Sequence, residues 1–252
     1  MINPENITAF IFAAGLGTRL KPLTDSKPKA LVTVDDKALI DIVIDNLSAQ
    51  GVADFVVNIH HFANQIVDAL KNRNNVAFSD ETDLLRDTGG AVKHARNLLK
   101  SNYFLVHNVD IISNFSLDFM LRNMHQKALA TLLVSERNTS RYLLFNDDMR
   151  LVGWTNISTG EVKSPFANIN VDQCRKLAFS GIHLLNPCVH NLMENYPEKF
   201  SIIDFYLNNA AKYEIYGLIQ PNLKLVDVGK VDSLAKAADY LKEIFGASSG
   251  SS

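Results

Sequence analysis

The chain has 252 residues, 47% of them hydrophobic and 21% charged, and its 25 basic and 27 acidic side chains give a net charge of −2. This composition is close to the globular average and excludes intrinsic disorder and a long coiled coil, and without a basic excess it argues against a nucleic-acid-binding protein. Two cysteines are too few for a disulfide scaffold and favour a reducing, cytoplasmic location.

The two ends of the chain predict neither targeting nor membrane association. Residues 1–8 lack the basic start and the long apolar stretch of a signal peptide. The longest apolar run, residues 9–14, is far too short to cross a bilayer. Residues 246–252 contain only Gly, Ala and Ser, a composition typical of a flexible tail.

The first 110 residues alternate short apolar runs with amphipathic stretches. This alternation predicts strand 7–13, helix 38–50, strand 54–59, helix 63–71, helix 90–100 and strand 102–106. The first strand is apolar on both faces, which is typical of a strand buried inside a parallel sheet. A doubly wound parallel sheet is therefore expected for this half of the chain.

The second half predicts a different architecture. Strands 129–135, 142–146 and 151–155 are separated by polar turns such as Asn146-Asp147-Asp148, a pattern typical of an antiparallel meander. The remaining predicted elements are strand 177–184, helices 187–195 and 201–212, strand 224–228 and helix 231–245. Because neither a repeat nor a Pro/Gly-rich linker interrupts the chain, we expect residues 1–245 to form one α/β domain with an inserted β-rich half.

The segment after the first strand carries the strongest chemical signal. It contains Ala13-Ala14-Gly15-Leu16-Gly17-Thr18-Arg19, then Pro22-Leu23-Thr24, then Pro28-Lys29-Ala30-Leu31. Two glycines one residue apart allow a sharp turn whose N–H groups can point at an anion. Arg19 adds a planar guanidinium and Lys29 a mobile charge, both suited to phosphate. A lone G-x-G would favour a plain turn and a solvated basic loop, but the flanking cations favour phosphate binding.

Several other chemistries are disfavoured. The segment lacks the third glycine of G-x-G-x-x-G, and the P-loop pattern is absent, so a dinucleotide-binding oxidoreductase is not indicated. There is no G-x-S-x-G for a serine hydrolase. His60 and His61 are adjacent on a predicted extended segment and point to opposite faces, which favours a structural role over a shared metal ion. Cys174 and Cys188 form no C-x-x-C pair.

The segment from Ala13 to Leu31 resembles the signature loop of the sugar-1-phosphate nucleotidyltransferases, A-G-x-G-x-R-L-x-P-L-T followed by P-K-P-L, with Ala30 at the second proline. Four later segments resemble further motifs of that family in the same order. They are residues 83–90 before a helix, Asn108-Val109-Asp110 with Val109 in place of glycine, Phe179-Ser180-Gly181-Ile182, and Val226-Asp227-Val228-Gly229. Five ordered matches are specific where any one alone would not be.

The resemblance implies a fold and a reaction. The fold is a doubly wound, mostly parallel, Rossmann-like (GT-A-like) mixed sheet with a β-rich substrate-side insertion. Residues 1–115 would form the nucleotide-binding half and residues 116–245 the sugar-phosphate-binding half. The reaction joins a nucleoside triphosphate to a sugar 1-phosphate, releases pyrophosphate and requires Mg²⁺.

The resemblance also implies roles for the nucleotide-side residues. Arg19 would hold the β- and γ-phosphates, Lys29 the α-phosphate or the sugar phosphate, and Asp110 and Asp227 the Mg²⁺. Both aspartates follow apolar strands, where open α/β sheets place ligands, although a strand-end turn or helix cap is the alternative. The remaining nucleotide contacts would come from Ala14, Gly15, Leu16 and Gly17 at the phosphates and from Thr88, Gly89 and Gly90 at the base or ribose.

The sugar-phosphate side is less defined. The resemblance implies contacts from Tyr142, Lys163, Ser180 and Gly181. Lys163 comes from a loose match of residues 161–165 to an E-K-P segment, so an exposed loop lysine is an equal alternative, and Arg175 or Lys176 could take its place.

The closest resemblance is to short uridylyltransferases that act on N-acetylmuramate 1-phosphate. Guanylyltransferases acting on mannose or heptose 1-phosphate and cytidylyltransferases acting on phosphocholine share the scaffold and stay open, as does a non-catalytic module that binds nucleotide sugars. The partners would be these small molecules, with no nucleic acid or membrane, and the protein would be a monomer or a small homo-oligomer.

Overall fold

A ten-stranded mixed sheet runs through the computed structural model, which describes residues 2–245. The described residues form fourteen strands, of which β2 with β3 and β7 with β14 make two separate pairs outside this sheet. The strands are β1 (Ile7–Phe12), β2 (Thr33–Val34), β3 (Lys37–Ala38), β4 (Asp54–Ile59), β5 (Val76–Asp80), β6 (Tyr103–Asn108), β7 (Ile111–Ser113), β8 (Ala130–Ser135), β9 (Arg141–Phe145), β10 (Leu151–Asn156), β11 (Glu161–Lys163), β12 (Arg175–Leu185), β13 (Ile215–Ile219) and β14 (Leu225–Asp227). The tail predicted at residues 246–252 lies outside the described residues.

The helices lie between these strands. The α-helices are α1 (Leu39–Ala49), α2 (Ala63–Leu70), α3 (Asp87–His94), α4 (Leu117–Asn123), α5 (Val189–Met193), α6 (Ile202–Asn209) and α7 (Asp232–Phe245). Short 3₁₀ turns occur at Pro4–Asn6, Thr18–Leu20, Lys29–Leu31, Ala95–Asn97 and Val171–Gln173. None of the helices described between residues 2 and 245 is long and apolar enough to cross a lipid bilayer.

The parallel part of the sheet has the order β6-β1-β4-β5. Phe12, the last residue of β1, pairs with Asn58 of β4 on one side and with Asn108 of β6 on the other. The loops that follow these strands therefore begin at one edge of the sheet, where parallel α/β folds place their ligands.

The second half of the chain extends the same sheet with mostly antiparallel strands, the exception being β13, which pairs parallel with β8. The long strand β12 pairs antiparallel with β6, β8 and β9. Beyond β9, the strands β10 and β11 continue as an antiparallel meander. Together the two halves confirm the predicted mixed α/β sheet with parallel strands first and a β-rich insertion after them.

Helices cover the sheet on both faces because β1 is apolar on both. Ile11 packs in a core cluster with Ile42 of α1, whereas its neighbour Phe10 points to the opposite face and packs in a second cluster with Phe205 of α6. All four side chains are buried. This two-sided burial is typical of a doubly wound sheet.

The helix predicted over residues 90–100 is displaced. The structure begins α3 three residues earlier, at Asp87, and ends it at His94, followed by one 3₁₀ turn. The earlier start brings Thr88 and Gly89, which were predicted to lie in a preceding loop, inside the first turn of the helix together with Gly90.

Candidate active site

A cleft of about 580 Å³ opens where the parallel strands end. The glycine loop after β1 forms one wall, and Lys29 and Asp110 lie beside it. Thr88 at the start of α3 and Gly229 after β14 also line the cleft. The structure thus gathers, in one cavity, residues from the first, middle and last parts of the chain.

The glycine loop leaves three backbone N–H groups without a partner. The N–H groups of Ala13 and Ala14 both donate to Oδ1 of Asn58, at 2.6 and 3.1 Å. Within residues 2–245, the N–H groups of Gly15, Leu16 and Gly17 donate to no other group. Three consecutive free amides at the mouth of a cleft form a concave, positively polarised surface suited to an anion.

Gly17 is needed for the shape of this loop. Its backbone is left-handed, with φ 63°, a conformation that glycine adopts without strain. A Cβ at this position would lie 2.9 Å from Cγ2 of Thr24. The Thr24 hydroxyl donates to the Gly17 carbonyl at 2.9 Å, so the turn is fixed from below by a buried side chain.

A buried polar network that the sequence analysis missed holds the loop in place. Glu81, which follows β5, is fully buried and accepts from Nδ2 of Asn58 at 2.9 Å and from the N–H of Arg86 at 3.2 Å. Glu81 therefore orients Asn58, which in turn orients the first two amides of the loop. The only sequence signal was a polar residue inside the apolar strand β4.

Lys29 and Asp110 form an ion pair inside the cleft. The lysine is only 8% exposed although its side chain is long and charged. Buried charges of this kind are retained only when they are paired. Lys29 is thereby fixed beside the carboxylate rather than projecting into solvent.

Asp227 lies next to Asp110 although 116 residues separate them in the sequence. The strands β7 and β14 pair antiparallel, with Asp227 opposite Ile111. The N–H of Val228 donates to the carbonyl of Asp110 at 2.8 Å. The two aspartates named from the sequence are therefore brought to one place by backbone pairing.

The charges around Asp227 act against one another. Burial raises the pKa of its carboxyl group and the negative charge of Asp110 raises it further, whereas Lys29, Arg19 and Arg137 lower it. The side chains of Arg19 and Asp227 both lie beside Gly229. A Cβ on Gly229 would lie 3.1 Å from Nη2 of Arg19 and 2.8 Å from Oδ1 of Asp227. Asp227 keeps an exposed side chain at the edge of the cleft, and its carboxylate and that of Asp110 interact there with three cationic side chains.

This donor set fits Mg²⁺. Asp110 and Asp227 supply two carboxylates. Burial first and the charge of Asp110 second raise the pKa of Asp227, and a cation between the two carboxylates would relieve their repulsion. The described residues contain no group of three or more His, Cys, Asp or Glu able to hold a metal. Magnesium is commonly held by one or two carboxylates, with phosphate oxygens and water completing its shell.

Of the predicted base-side residues, the structure places only Thr88 in the cleft. Gly89 and Gly90 are buried, and their N–H groups donate to the carbonyl of Phe200 at 2.9 and 3.2 Å. A Cβ would lie 2.4 Å from the Phe200 ring at Gly89 and 2.1 Å from the Glu198 carbonyl at Gly90. These glycines permit close packing against residues 198–200, and neither is among the residues that line the cleft.

The four predicted sugar-side residues do not line the described cleft. Tyr142 accepts a hydrogen bond from the N–H of Thr139 at 3.1 Å. Lys163 is exposed, pairs with Asp204 at 3.2 Å and lies over the ring of Trp154. Both side chains are thus occupied by local partners.

The other two lie on β12, deeper in the sheet. Ser180 is fully buried, and its hydroxyl has no hydrogen-bond partner among residues 2–245. Gly181 has φ 75°, and a Cβ there would lie 2.6 Å from Nδ2 of Asn108, a residue that does line the cleft. Gly181 therefore shapes the wall of the cleft indirectly, by making room for Asn108.

The remaining candidates lie elsewhere. Nδ1 of His60 is 2.6 Å from the carbonyl oxygen of Glu81, and the ring of His61 packs on Phe62 with centroids 3.9 Å apart. The two histidines therefore have separate neighbours. Cys174 and Cys188 are free thiols.

Comparison with known proteins places this site in context. A family model described as nucleotidyl transferase matches residues 8–244. An N-acetylmuramate alpha-1-phosphate uridylyltransferase from Caulobacter vibrioides is 44% identical over 110 residues, which are 41% of this chain and 46% of that protein. Mannose-1-phosphate guanyltransferase 2 from Candida glabrata is 31% identical over 251 residues, covering 93% of this chain and 64% of that protein. The chain thus spans about half to two thirds of these relatives.

Solved structures share the fold. HddC from Yersinia pseudotuberculosis, complexed with GMP-PN, aligns with 94% of this chain and 100% of its own at a TM-score of 0.74 and 22% identity. A putative glucose-1-phosphate thymidylyltransferase from Bacillus anthracis aligns with 94% of this chain and 96% of its own at a TM-score of 0.77 and 17% identity. At these identities the likeness concerns the architecture alone.

Proposed function

Because this chain belongs to the nucleotidyl transferase family, we propose that it transfers a nucleoside monophosphate from a nucleoside triphosphate to a sugar 1-phosphate and releases pyrophosphate. The observation that carries this proposal is the cleft lined by the free amides of residues 15–17, Arg19, Lys29 and Asp110, with the carboxylate of Asp227 beside Asp110. Such a set of donors and charges suits two phosphate compounds rather than a neutral substrate.

The reaction requires charge neutralisation more than proton transfer. A phosphate oxygen of the sugar 1-phosphate attacks the α-phosphorus and forms a new P–O bond. The bond from the α-phosphorus to the bridging oxygen breaks, and pyrophosphate leaves with that electron pair. A phosphate monoester has a second pKa of about 6 and is ionised at neutral pH, so the attack needs no general base. Positioning and electrostatic stabilisation then account for catalysis.

The charged residues and the free amides of the cleft would have the following roles in this reaction. The amides of Gly15, Leu16 and Gly17 would bind the triphosphate, with Arg19 beside them. Lys29, fixed next to Asp110, would stabilise charge where the two phosphates meet. Asp110 and Asp227 would hold Mg²⁺, which when bound would neutralise phosphate charge.

For the substrates, we propose UTP and N-acetylmuramate 1-phosphate. The support is the 44% identity to the Caulobacter vibrioides uridylyltransferase over 110 residues. Guanylyl transfer to mannose 1-phosphate is the second candidate, favoured by the longer but weaker similarity, 31% over 251 residues, to the Candida glabrata protein.

A pyrophosphate-release assay distinguishes these candidates. The purified chain is incubated with Mg²⁺ and each of UTP, GTP, CTP and dTTP, against N-acetylmuramate 1-phosphate and mannose 1-phosphate. We expect release with UTP and N-acetylmuramate 1-phosphate. We also expect Asp110→Asn to lower kcat by about two to three orders of magnitude, the scale of losing one preorganised electrostatic group, while exposed Asp118→Asn leaves it unchanged. Release from no pair by folded protein would instead support a non-catalytic nucleotide-sugar-binding module.

The proposal extends to organisation and location. Residues 1–245 would act as one domain, with the nucleotide bound by residues 1–115 and the sugar phosphate by residues 116–245. A cytoplasmic location is supported by the two free thiols at Cys174 and Cys188.

A further inference from the structure

Residues 196–202, between α5 and α6, are fixed to the start of α3. The carbonyl of Phe200 accepts from Gly89 and Gly90, and its N–H donates to the carbonyl of Arg86 at 3.2 Å. The N–H of Ile202 donates to Oγ1 of Thr88 at 3.0 Å. Three backbone–backbone hydrogen bonds at Phe200 and one from Ile202 to a side chain give this connection a defined position beside the cleft.

The glycine pair makes that position possible. At Gly90 the backbone carbonyl of Glu198 occupies the space that a Cβ would need, at 2.1 Å. Backbone cannot move aside as a flexible side chain can. Only glycine at this position lets residues 198–200 lie flat against the helix.

The same segment connects the two halves of the molecule. It leads into α6, which packs against α3 on one side and β10 on the other. Asp204 of α6 also pairs with Lys163 of β11 at 3.2 Å. The segment thus lies between the parallel strands of the nucleotide side and the β-rich half, where a second substrate would meet the first.

Lys199 is the charged residue that this segment brings to the cleft. Its side chain is exposed and lines the cavity together with Thr88 and Asp110. Among residues 2–245, Lys199 has no ion-pair partner. Lys29 and Lys163, in contrast, are already paired with aspartates.

We propose that Lys199 binds the phosphate of the sugar 1-phosphate, the role that the sequence left open between Lys163, Arg175 and Lys176. This inference rests on the proposed function. The triphosphate already has the loop amides and Arg19. The three side chains considered from the sequence for the second phosphate, Lys163, Arg175 and Lys176, are each paired with a carboxylate. A lysine provides a mobile point charge that suits a phosphate entering between the two halves.

Steady-state kinetics of the full chain test the assignment. In Lys199→Ala we expect the KM for N-acetylmuramate 1-phosphate to rise about tenfold to a hundredfold, the effect of one charged hydrogen bond, with the KM for UTP near its wild-type value. Lys199→Arg should restore most of the affinity. Lys212→Ala, an exposed lysine outside the cleft, is the matched control and should match wild type in both KM values.

A second variant tests the docking. Gly90→Ala should displace residues 198–200 and raise the KM for N-acetylmuramate 1-phosphate, with a thermal melt to verify that the protein is folded.

An unchanged KM for the sugar phosphate in Lys199→Ala, or a rise confined to UTP, overturns the proposal. If wild type shows no turnover, the proposed function fails by itself. Calorimetry with N-acetylmuramate 1-phosphate then decides for Lys199: weaker binding by Lys199→Ala supports it, and equal or unmeasurable binding by both proteins overturns it.

Discussion

At the scale of single residues, Asn58 connects the glycine loop to a buried carboxylate. It accepts from two loop amides through one oxygen and donates to a fully buried carboxylate through its nitrogen. A phosphate-binding turn must hold its amides in one orientation before the ligand arrives. Asn58 and Glu81 provide that orientation through hydrogen bonds within the protein.

Asn58→Ala should therefore weaken both the fold and nucleotide binding. It leaves the N–H groups of Ala13 and Ala14 and one oxygen of Glu81 without partners, and an unsatisfied buried group costs about 1–3 kcal/mol. We expect the free energy of unfolding, measured in urea, to fall by at least that amount and the KM for the triphosphate to rise. Asn102→Ala, exposed near the opposite end of the same sheet, should change neither quantity. A stable variant with wild-type KM would mean that the loop holds its shape without Asn58.

The sequence predicted some of these residues and not others, for a physical reason. Gly15, Gly17, Arg19 and Lys29 lie close together along the chain, so their spacing alone indicates an anion-binding turn. Asn58 and Lys199 acquire their positions only through strand pairing and through backbone contacts with distant residues. The sequence singled out Gly89 and Gly90 as residues near the base. In the structure, glycine is needed at these positions because residues 198–200 pack closely against them.

At the scale of elements, the junction of β6 and β12 contains two buried histidines. His107 pairs in register with Ile182, and His183 with Val106. Burial lowers the pKa of His107 to about 4 and that of His183 to about 3. Nδ1 of His183 is hydrogen-bonded to the hydroxyl of Tyr206 on α6. Both rings are consequently neutral in the folded protein at neutral pH, at the point where the antiparallel half joins the parallel half.

This arrangement predicts a loss of stability in mild acid. In the unfolded chain both histidines titrate near pH 6.5, whereas in the folded protein they stay neutral to about pH 4 and pH 3. Between these values the unfolded state binds more protons, so the free energy of unfolding falls as the pH decreases, by several kcal/mol in total. Urea unfolding at pH 7, 6, 5 and 4 measures this slope.

Two matched variants test which group causes this pH dependence of the free energy of unfolding. His183→Gln removes one titrating group and should flatten the dependence between pH 6.5 and 5, while exposed His61→Gln should keep the wild-type slope. A steep slope that survives His183→Gln unchanged would place the acid sensitivity elsewhere.

The elements that the sequence missed share one property: tertiary contacts determine them more than local pattern does. The five-residue strand β13 contains Gly217, and glycine weakens the local strand pattern. Glycine is needed there because a Cβ would lie 2.8 Å from the Phe145 ring. Parallel pairing with β8 along its whole length stabilises the strand nevertheless. Helix α4 is also short, with seven residues, and its local signal was the Ser116 cap, whose side chain accepts from the N–H of Phe119. By contrast, α1 ends within a residue of its predicted end because Gly51 follows it.

At the scale of the whole molecule, the two halves defined by sequence, residues 1–115 and 116–245, are not structurally separate. β6 from the first half pairs with β12 from the second, and β7 pairs with β14. The second of these pairings is also what brings Asp227 to Asp110. The proposed active site therefore exists only when both halves are folded against each other.

We accordingly expect residues 1–245 to unfold in one cooperative step. Trp154 is the single tryptophan and lies on β10, so its fluorescence reports on the β-rich half, whereas far-UV circular dichroism reports on every helix and strand. In urea the two transitions should coincide, as a two-state domain requires. A fragment of residues 1–115 should lack a cooperative transition, because cutting there exposes the edge of β6 and uncovers its apolar face. Separated transitions, or a fragment that folds alone, would mean that the halves are independent domains and that their contact, rather than their folding, assembles the site.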